Sequence, residues 1–296
     1  MIALVTLAVP LSVPAATNAV VRVASLAPSL TEIICAIGAT DCLVGRSSAC
    51  HYPSDMVKRV PVAGDFGIPI LEALAKCAPD LVVTVDMEDQ NSVQAIEHLG
   101  IRHESIPCRS LDDIPRAIRT LGKLLHREDS AERLAGEFAG TLANLRQHQP
   151  TVRRRVFIEI WGDPLMTAGR KSFLNDLITL AGGENIAGDV ARDFFQISTE
   201  SVLARDPEVV ILLEPGPIDL SKRSGWAQTT AVKSNRICRD LDRDLLEIPG
   251  PRVLQAVEVL HDCIFGVRRL VDALPSLGVV REQKSCDMSQ HSITLP

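Results

Sequence analysis

The stretch from Ser130 to Gln147 has the pattern of one long, uninterrupted helix. Its apolar residues recur at steps of three and four and therefore share one helix face: Ala131, Leu134, Phe138, Leu142 and Leu145. Asp129 and Glu132 stand at the spacing of a capping box, and Pro150 stops the helix. A helix of this length spans about 27 Å, roughly one small domain. It is either one surface helix of a single α/β domain or a rod between two bodies.

The segments before and after this helix resemble each other in the same order. Glu72 stands seven residues ahead of Pro79 and the apolar run DLVV, and Glu200 stands seven residues ahead of Pro207 and EVVI. Segments 30–45 and 173–188 also match as helix, glycine and short strand. Chance similarity is the simpler alternative, because α/β proteins reuse such units. The shared order favours two like lobes joined by a single rod.

Within each predicted lobe, short apolar runs alternate with amphipathic stretches, which is the pattern of a parallel sheet covered by helices. The predicted fold class is therefore α/β, with two Rossmann-like lobes bridged by one long α-helix. We expect Ser29 or Thr31 near the cap of the first helix, and Pro251 in the first turn of a helix that runs to Leu270. The predicted divisions are a signal peptide (1–19), an N-terminal lobe (20–126), the bridging helix (127–149), a C-terminal lobe (150–274) and a loose tail with Cys286 (275–296).

Composition and the first residues narrow the class of protein. The formal net charge is −6 and the basic residues are scattered, so nucleic acid is not expected as a partner. Residues 1–19 are apolar, uncharged and end in small side chains, which indicates a secretory signal; a disordered or strand-forming N-terminus is the alternative. The eight cysteines form no CxxC pair, which argues against a zinc or iron–sulfur site. In an exported protein they permit disulfides.

Four motifs resemble one known family. They are VASLAPSLTEIICAIGATDCLVGRSSACHYP from Val23, the Glu72 helix with its PDLVV strand, AGGENI from Ala181, and the unit from Glu200 to Ile211. They resemble the periplasmic cobalamin and iron-chelate substrate-binding proteins of ABC importers, in order from about residue 21 to 270. The resemblance implies a class III binding-protein fold and a monomer without catalytic activity. It also implies an exported, soluble periplasmic protein with no cofactor of its own, which carries a corrinoid or other metal chelate to permease subunits.

The resemblance also implies which residues line the ligand cleft. A flat macrocycle needs aromatic and apolar faces, with a few polar groups for its amide or carboxylate edges. The implied loops all follow strands, where ligands of open α/β sheets bind. The ligand-binding residues carried over are Ser48, Cys50, His51, Tyr52, Phe66, Asp86 and Met87 from the first lobe, and Trp161, Met166, Phe194 or Phe195, and Asp244 from the second.

This chain departs from the cobalamin-binding members of the family at several positions. Those members have aromatic residues where this chain has Ala49, Val85 and Met166, so two or three stacking surfaces are missing. They also pair two cysteines at positions where this chain has Ala181 and Cys263. A haem or ferric-siderophore binder is therefore the alternative within the class.

The loop after the second predicted strand contains three residue types that can ligate iron or cobalt, namely Cys50, His51 and Tyr52. His51 is the candidate axial ligand of a bound chelate, and a solvated or hydrogen-bonded histidine is the alternative. Two glutamates, Glu72 and Glu200, are implied to meet arginines of the permease, one from each lobe. The alternative role for each is to stabilise the dipole at the start of its helix.

Two other classes of protein are weighed against this interpretation. An oxidoreductase or metallocluster enzyme could use paired Rossmann-like lobes, but no Gly-x-Gly-x-x-Gly follows a strand and Gly169 to Ser172 lacks phosphate-loop spacing. Gly-x-Ser-x-Gly and His-Glu-x-x-His are also missing from the sequence. A cytoplasmic chelate-handling protein is the remaining option if residues 1–19 are not a signal.

Overall fold

The computed structural model describes residues 20–85, 89–214 and 216–266. Its N-terminal lobe contains one six-stranded sheet. The strands are β1 (Val23–Ser25), β2 (Leu43–Ser47), β3 (Val62–Asp65), β4 (Ile68–Pro69), β5 (Leu81–Thr84) and β6 (Arg102–Ser105). Their order is β4-β3-β2-β1-β5-β6, and every pair is parallel except the β3–β4 hairpin. Every residue of β1 and β5 is buried, as expected for strands with helices on both faces.

The described part of the first lobe has five helices, and the bridging helix follows them in the chain. They are α1 (Pro28–Ala36), α2 (Ser54–Val57), α3 (Leu71–Cys77), α4 (Gln90–His98), α5 (Asp113–Leu124) and the bridging helix α6 (Glu128–Gln147). Ser29 lies near the start of α1 as expected, but the N-cap residue is Ala27 and no side chain makes the capping hydrogen bond. Pro28 already lies in the first turn, where its missing N–H costs nothing. The Thr31 hydroxyl instead donates to Ser25 Oγ over 2.9 Å.

The long helix is confirmed over twenty residues. Its predicted apolar face is buried at Ala131, Leu134, Phe138 and Leu142, with Leu145 packed at the edge. The predicted capping box is wrong, because the helix begins at Glu128 and the Arg127 side chain makes no capping bond. Glu132 accepts two hydrogen bonds from Arg119 of α5, at 2.7 and 2.9 Å, and is therefore not available to cap.

The C-terminal lobe has two sheets. The first is parallel, in the order β10-β7-β12-β13, and the second is antiparallel, in the order β11-β9-β8. The strands are β7 (Arg154–Glu159), β8 (Trp161–Gly162), β9 (Leu165–Ala168), β10 (Gly183–Asn185), β11 (Phe194–Gln196), β12 (Val209–Leu212) and β13 (Ile237–Cys238). The helices are α7 (Phe173–Leu180), α8 (Thr199–Arg205), α9 (Thr230–Lys233), α10 (Arg243–Glu247) and α11 (Gln255–Phe265).

The internal repeat is visible in the topology. β1 lies between its parallel partners β2 and β5, and β7 lies in the same way between β10 and β12. Helices α3 and α8 each end on a left-handed residue, Ala78 at φ 44° and Asp206 at φ 41°, just before Pro79 and Pro207. The two lobes are therefore built from the same unit, one on each side of the bridging helix.

The expected helix start at Pro251 is wrong. Residues Pro251 to Leu254 form a turn, and α11 begins at Gln255. The reason lies in Arg252, which turns toward the first lobe to pair with Glu32. The described helix ends at Phe265 with Gly266 in the left-handed region, so the expected end at Leu270 lies outside the described residues.

One buried apolar cluster runs through both lobes. It contains Ile33 of α1, Phe138 of α6, Leu177 of α7 and Leu260 of α11. The bridging helix is therefore packed along its length rather than exposed on all sides. Within the described residues, no helix is both long and apolar enough to cross a bilayer. The predicted signal peptide and tail lie outside the described residues.

Candidate functional site

The exit loops of the two parallel sheets meet at one pair of side chains. His51 follows β2, and Asp244 lies in the first turn of α10, after β13. His51 Nδ1 lies 3.5 Å from Asp244 Oδ2, and the two side chains are 63% and 40% exposed. The exit loops of the two sheets thus come together at this exposed contact, and such loops are where open α/β sheets bind ligands; we call the space beside these loops the gap.

The described residues predicted to bind ligand from the first lobe include an exposed phenylalanine. Ser48 fixes the β3–β4 turn, since its N–H donates to Gly64 O over 2.8 Å and its hydroxyl donates to the Asp65 carboxylate. Phe66 lies at the tip of that turn and is 58% exposed. Asp86 and Met87, also predicted in this lobe, lie outside the described residues.

The predicted aromatic residues of the second lobe lie on the small antiparallel sheet. Trp161 pairs directly with Met166, and Met166 pairs with Gln196, so their side chains share one face. Phe194, two residues before Gln196, lies on that face as well. Trp161 is 47% exposed and Phe194 is 48% exposed. We call this face, made of Trp161, Met166, Phe194 and Gln196, the aromatic platform.

Phe195 is a correction to the predicted site. It pairs with Thr167, which is fully buried, so both point away from the aromatic platform. Phe195 packs instead, with Leu165, against the apolar cluster that contains Trp226. Because side chains alternate along a strand, only one of the two adjacent phenylalanines can face a ligand.

Three charged residues that the sequence did not single out support the aromatic platform. Glu159, at the end of β7, is fully buried and pairs with Arg223, whose Nη2 lies 2.8 Å from Glu159 Oε1. Glu214 Oε2 accepts from the Gly162 N–H over 2.9 Å. The hydrogen bond to Glu159 raises the pKa of Arg223, which keeps the guanidinium charged. The clue in the sequence was an acidic residue inside the apolar strand RRVFIE.

The backbone at Gly162 passes close to this charged group. A Cβ at Gly162 would lie 3.0 Å from both Arg223 Nη2 and Glu214 Oε2. The position therefore favours glycine. The adjacent Trp161 is held by its indole N–H, which donates to Asp163 O over 2.8 Å. This hydrogen bond orients the exposed ring of Trp161.

Cys50 is a second correction. It is only 2% exposed, and its sulfur lies 3.1 Å from Thr31 Oγ1 and 3.4 Å from Ser47 Oγ. Its thiol is therefore engaged inside the lobe and cannot contact a ligand in the gap. Within the described residues, no group of three or more His, Cys, Asp or Glu could hold a metal ion. His51 therefore remains a predicted ligand only for a metal ion that is already held in a chelate.

Tyr52 turns away from His51 toward the bridging helix. Its ring lies under the Arg252 guanidinium, 3.5 Å from the carbon Cζ to the ring centroid. Tyr52 also lines a cavity of about 330 Å³, together with Glu32 and with Leu134 of α6. Burial raises the pKa of Glu32, while the Arg252 bonds oppose that rise. Tyr52 thus contributes to the junction between the lobes and not to the aromatic platform.

The two predicted docking glutamates occupy matching places. Glu72 lies in the first turn of α3 and Glu200 in the first turn of α8, and both are exposed. In each lobe an exposed phenylalanine stands six residues earlier, Phe66 in the first lobe and Phe194 in the second. The two lobes therefore repeat one arrangement, an exposed phenylalanine followed six residues later by an exposed glutamate.

Comparisons with known proteins agree with this architecture. Residues 23–243 match a family described as periplasmic binding protein. An ABC transporter substrate-binding lipoprotein of Bacillus subtilis (strain 168) is 29% identical over 254 residues, which cover 82% of this chain and 80% of the relative. A vitamin B12-binding protein of Pectobacterium carotovorum is 30% identical, covering 80% of this chain and 86% of the relative. The solved structure of the periplasmic heme-binding protein RhuT from Roseiflexus sp. RS-1 superposes with a TM-score of 0.75 at 29% identity, covering 83% of this chain and 98% of that one.

Proposed function

Since the chain belongs to the periplasmic binding protein family, we propose that it captures a cobalamin-type corrinoid between its two lobes and delivers it to a membrane permease. It is an ABC-type periplasmic substrate-binding protein, with vitamin B12- and heme-binding proteins among its relatives. In this role the protein is released as a soluble monomer in the periplasm. It carries out no catalysis, and the chelate is its cargo rather than a cofactor.

The observation that carries the proposal is the aromatic platform. Trp161 and Phe194 are exposed on one face beside the half-buried Met166, and apolar side chains grouped in this way favour a partner that covers them. A corrin ring is flat and apolar on its faces, so it can stack on such a surface. Gln196 on the platform and Ser48 of the first lobe would supply hydrogen bonds for the amide side chains that surround a corrin.

Haem is the second candidate, and a different observation favours it. Asp244 faces the Nδ1 atom of His51, which leaves the Nε2 atom directed elsewhere. A carboxylate that orients an imidazole in this way is the usual second partner of a metal-ligating histidine. The imidazole of His51 could therefore ligate the iron of a haem that lies against the aromatic platform.

A visible absorbance titration separates the two candidates. Purified apo-protein is titrated with cyanocobalamin and, separately, with haemin. The proposal predicts saturable binding of cyanocobalamin at one equivalent. Saturation by haemin alone would favour the second candidate, and His51→Ala should then weaken haemin binding at least tenfold, about 1.4 kcal/mol. Tyr52→Phe is the matched control, because Tyr52 points toward the bridging helix. Failure of both chelates to saturate the protein would refute both candidates.

A further inference from the structure

Two cysteines of the second lobe lie side by side. Cys238 ends the edge strand β13, and Cys263 lies in the last turn of α11. Their thiol groups are hydrogen-bonded to each other. Both side chains are half-buried, and Cys238 packs against the apolar cluster that contains Leu260 and Ile264, the α11 neighbours of Cys263. The contact therefore belongs to the packing of α11 on the sheet.

Other described cysteines have different surroundings. Cys50 is bonded to two hydroxyl groups, and the Cys108 thiol donates to Pro249 O over 3.0 Å. Burial raises the pKa of Cys35 to about 11, so that thiol stays protonated at neutral pH. These thiols behave as small buried side chains. The Cys238 and Cys263 pair differs because two sulfur atoms face each other.

We propose that Cys238 and Cys263 form a disulfide bond in the exported protein. Periplasmic binding proteins work in a compartment where disulfides form and persist. The bond needs only the contact between β13 and α11 that the fold already provides. The inference goes beyond the proposed function, because it holds whichever chelate the protein binds.

The chemistry balances with a protein or small-molecule disulfide as the oxidant. Within the pair, the hydrogen bond from Cys238 lowers the pKa of Cys263, so Cys263 is the better nucleophile. Its thiolate attacks the disulfide of the oxidant and releases one oxidant thiol, forming a mixed disulfide. Cys238 then loses its proton and attacks the Cys263 sulfur, releasing the second oxidant thiol. Two protein thiols are oxidised and one external disulfide is reduced.

The bond would close a loop that carries two side chains paired with residues of the first lobe. Asp244, which faces His51, and Arg252, which pairs with Glu32, both lie between Cys238 and Cys263 in the chain. A covalent link between the two ends of this segment reduces the number of conformations open to it in the unfolded chain. In the folded protein the link holds the two ends together. The disulfide would therefore brace the part of the second lobe that holds the first.

The test is a thiol map of the full chain exported to the periplasm. The protein is denatured in iodoacetamide without reductant, digested, and compared by mass spectrometry with a sample reduced first. We expect the Cys238 and Cys263 peptides to be linked, unalkylated and lighter by the two thiol hydrogens, and to become alkylated only after reduction. Alkylation of both without reduction would overturn the proposal, and so would a link from either one to another cysteine such as Cys286.

Thermal unfolding supplies a second readout. A phosphine reductant should lower the midpoint of the parent by roughly 5 °C, because the loop regains its freedom in the unfolded chain. Cys238→Ala with Cys263→Ala should not respond to the reductant, whereas the control Cys35→Ser should respond like the parent. Equal responses of the parent and the double variant would contradict a stabilising disulfide between Cys238 and Cys263. Should the double variant fail to fold, the thiol map of the parent decides alone.

Discussion

Arg252 and Glu32 form a buried, bidentate ion pair that joins the end of the second lobe to the first helix of the first. Arg252 Nη2 lies 2.6 Å from Glu32 Oε1, and Arg252 Nε lies 3.1 Å from Oε2. The Glu32 side chain is 4% exposed and the Arg252 side chain is 11% exposed. Tyr52 covers one face of the guanidinium. The pair is therefore shielded from water. It lies at the junction between the two lobes, which also adjoins the bridging helix.

Breaking this pair should destabilise the protein strongly. Arg252→Ala leaves the Glu32 carboxylate buried without its partner, which we expect to cost about 3–5 kcal/mol of the free energy of unfolding. The matched control is Arg119→Ala, which breaks an exposed pair with Glu132 and should cost less than about 1 kcal/mol. Urea denaturation measures both. Equal costs for the two variants would mean that the junction contributes no more than a surface pair.

The bridging helix should keep lobe closure small. A packed α-helix resists bending across its hydrogen-bond ladder, and α6 contains no proline and shares a core with both lobes. The Arg252 and Glu32 pair adds a second connection. Small-angle scattering curves of the apo-protein and the ligand-bound protein should be nearly superimposable. A fall of several ångströms in the radius of gyration on ligand addition would show that the lobes close by a hinge.

One aspartate should make part of the stability pH-dependent. Asp206 accepts the Thr230 N–H and hydroxyl, both at 2.7 Å, and the N–H bond is the main cause that lowers the pKa of Asp206. A carboxyl with a lowered folded pKa stabilises the fold above its unfolded pKa, and this contribution is lost as pH falls through the folded pKa. Asp206→Asn keeps a residue type that tolerates the left-handed φ of 41°.

The expected difference between the parent and Asp206→Asn is less than about 1 kcal/mol at neutral pH, since the side chain is 46% exposed. It should persist down to about pH 4 and vanish as the pH falls further. Urea denaturation at a series of pH values measures it. A difference that stays constant down to the lowest pH would show that the aspartate charge is not its source.

Reversing the two docking glutamates should separate uptake from ligand binding. Glu72→Arg with Glu200→Arg places two cations where the permease is expected to present arginines, so uptake by whole cells should collapse, and chelate affinity should stay within about twofold. Glu97→Arg with Glu184→Arg changes the net charge equally at two other exposed sites and is the control. If the folded Glu72 and Glu200 variant supports normal uptake, the two glutamates serve only their helix dipoles.

Much of the fold follows from patterns that are local in the sequence. Helical periodicity predicts the apolar face from Ala131 to Leu142, and apolar runs that follow a proline predict two buried strands. The packing of the folded protein agrees with both patterns. The caps could not be predicted in the same way. Glu132 had a suitable spacing, but Arg119 of the neighbouring helix engages it. Pro251 suited a helix start, but Arg252 is drawn to the other lobe.

The candidate site was only partly accessible from the sequence for a related reason. The resemblance implied Trp161 and Phe194, but the register that sets them on one face appears only when β8, β9 and β11 pair. The same register turns Phe195 inward. Cys50 had suitable chemistry, but it is buried beside Thr31. Glu159 could be noticed as an acidic residue in an apolar strand, but its partner Arg223 is 64 residues away and has no local pattern that identifies it.

Binding titrations of variants of the aromatic platform test the central claim most directly. Cyanocobalamin is titrated by visible absorbance into the parent, Trp161→Ala, Phe194→Ala and the control Leu99→Ala, an apolar residue 43% exposed at the opposite, amino edge of the first sheet. If the corrin ring lies on the platform, each platform variant should bind at least about tenfold more weakly, and Leu99→Ala should bind like the parent. If both platform variants bind like the parent, the ligand does not lie on this surface.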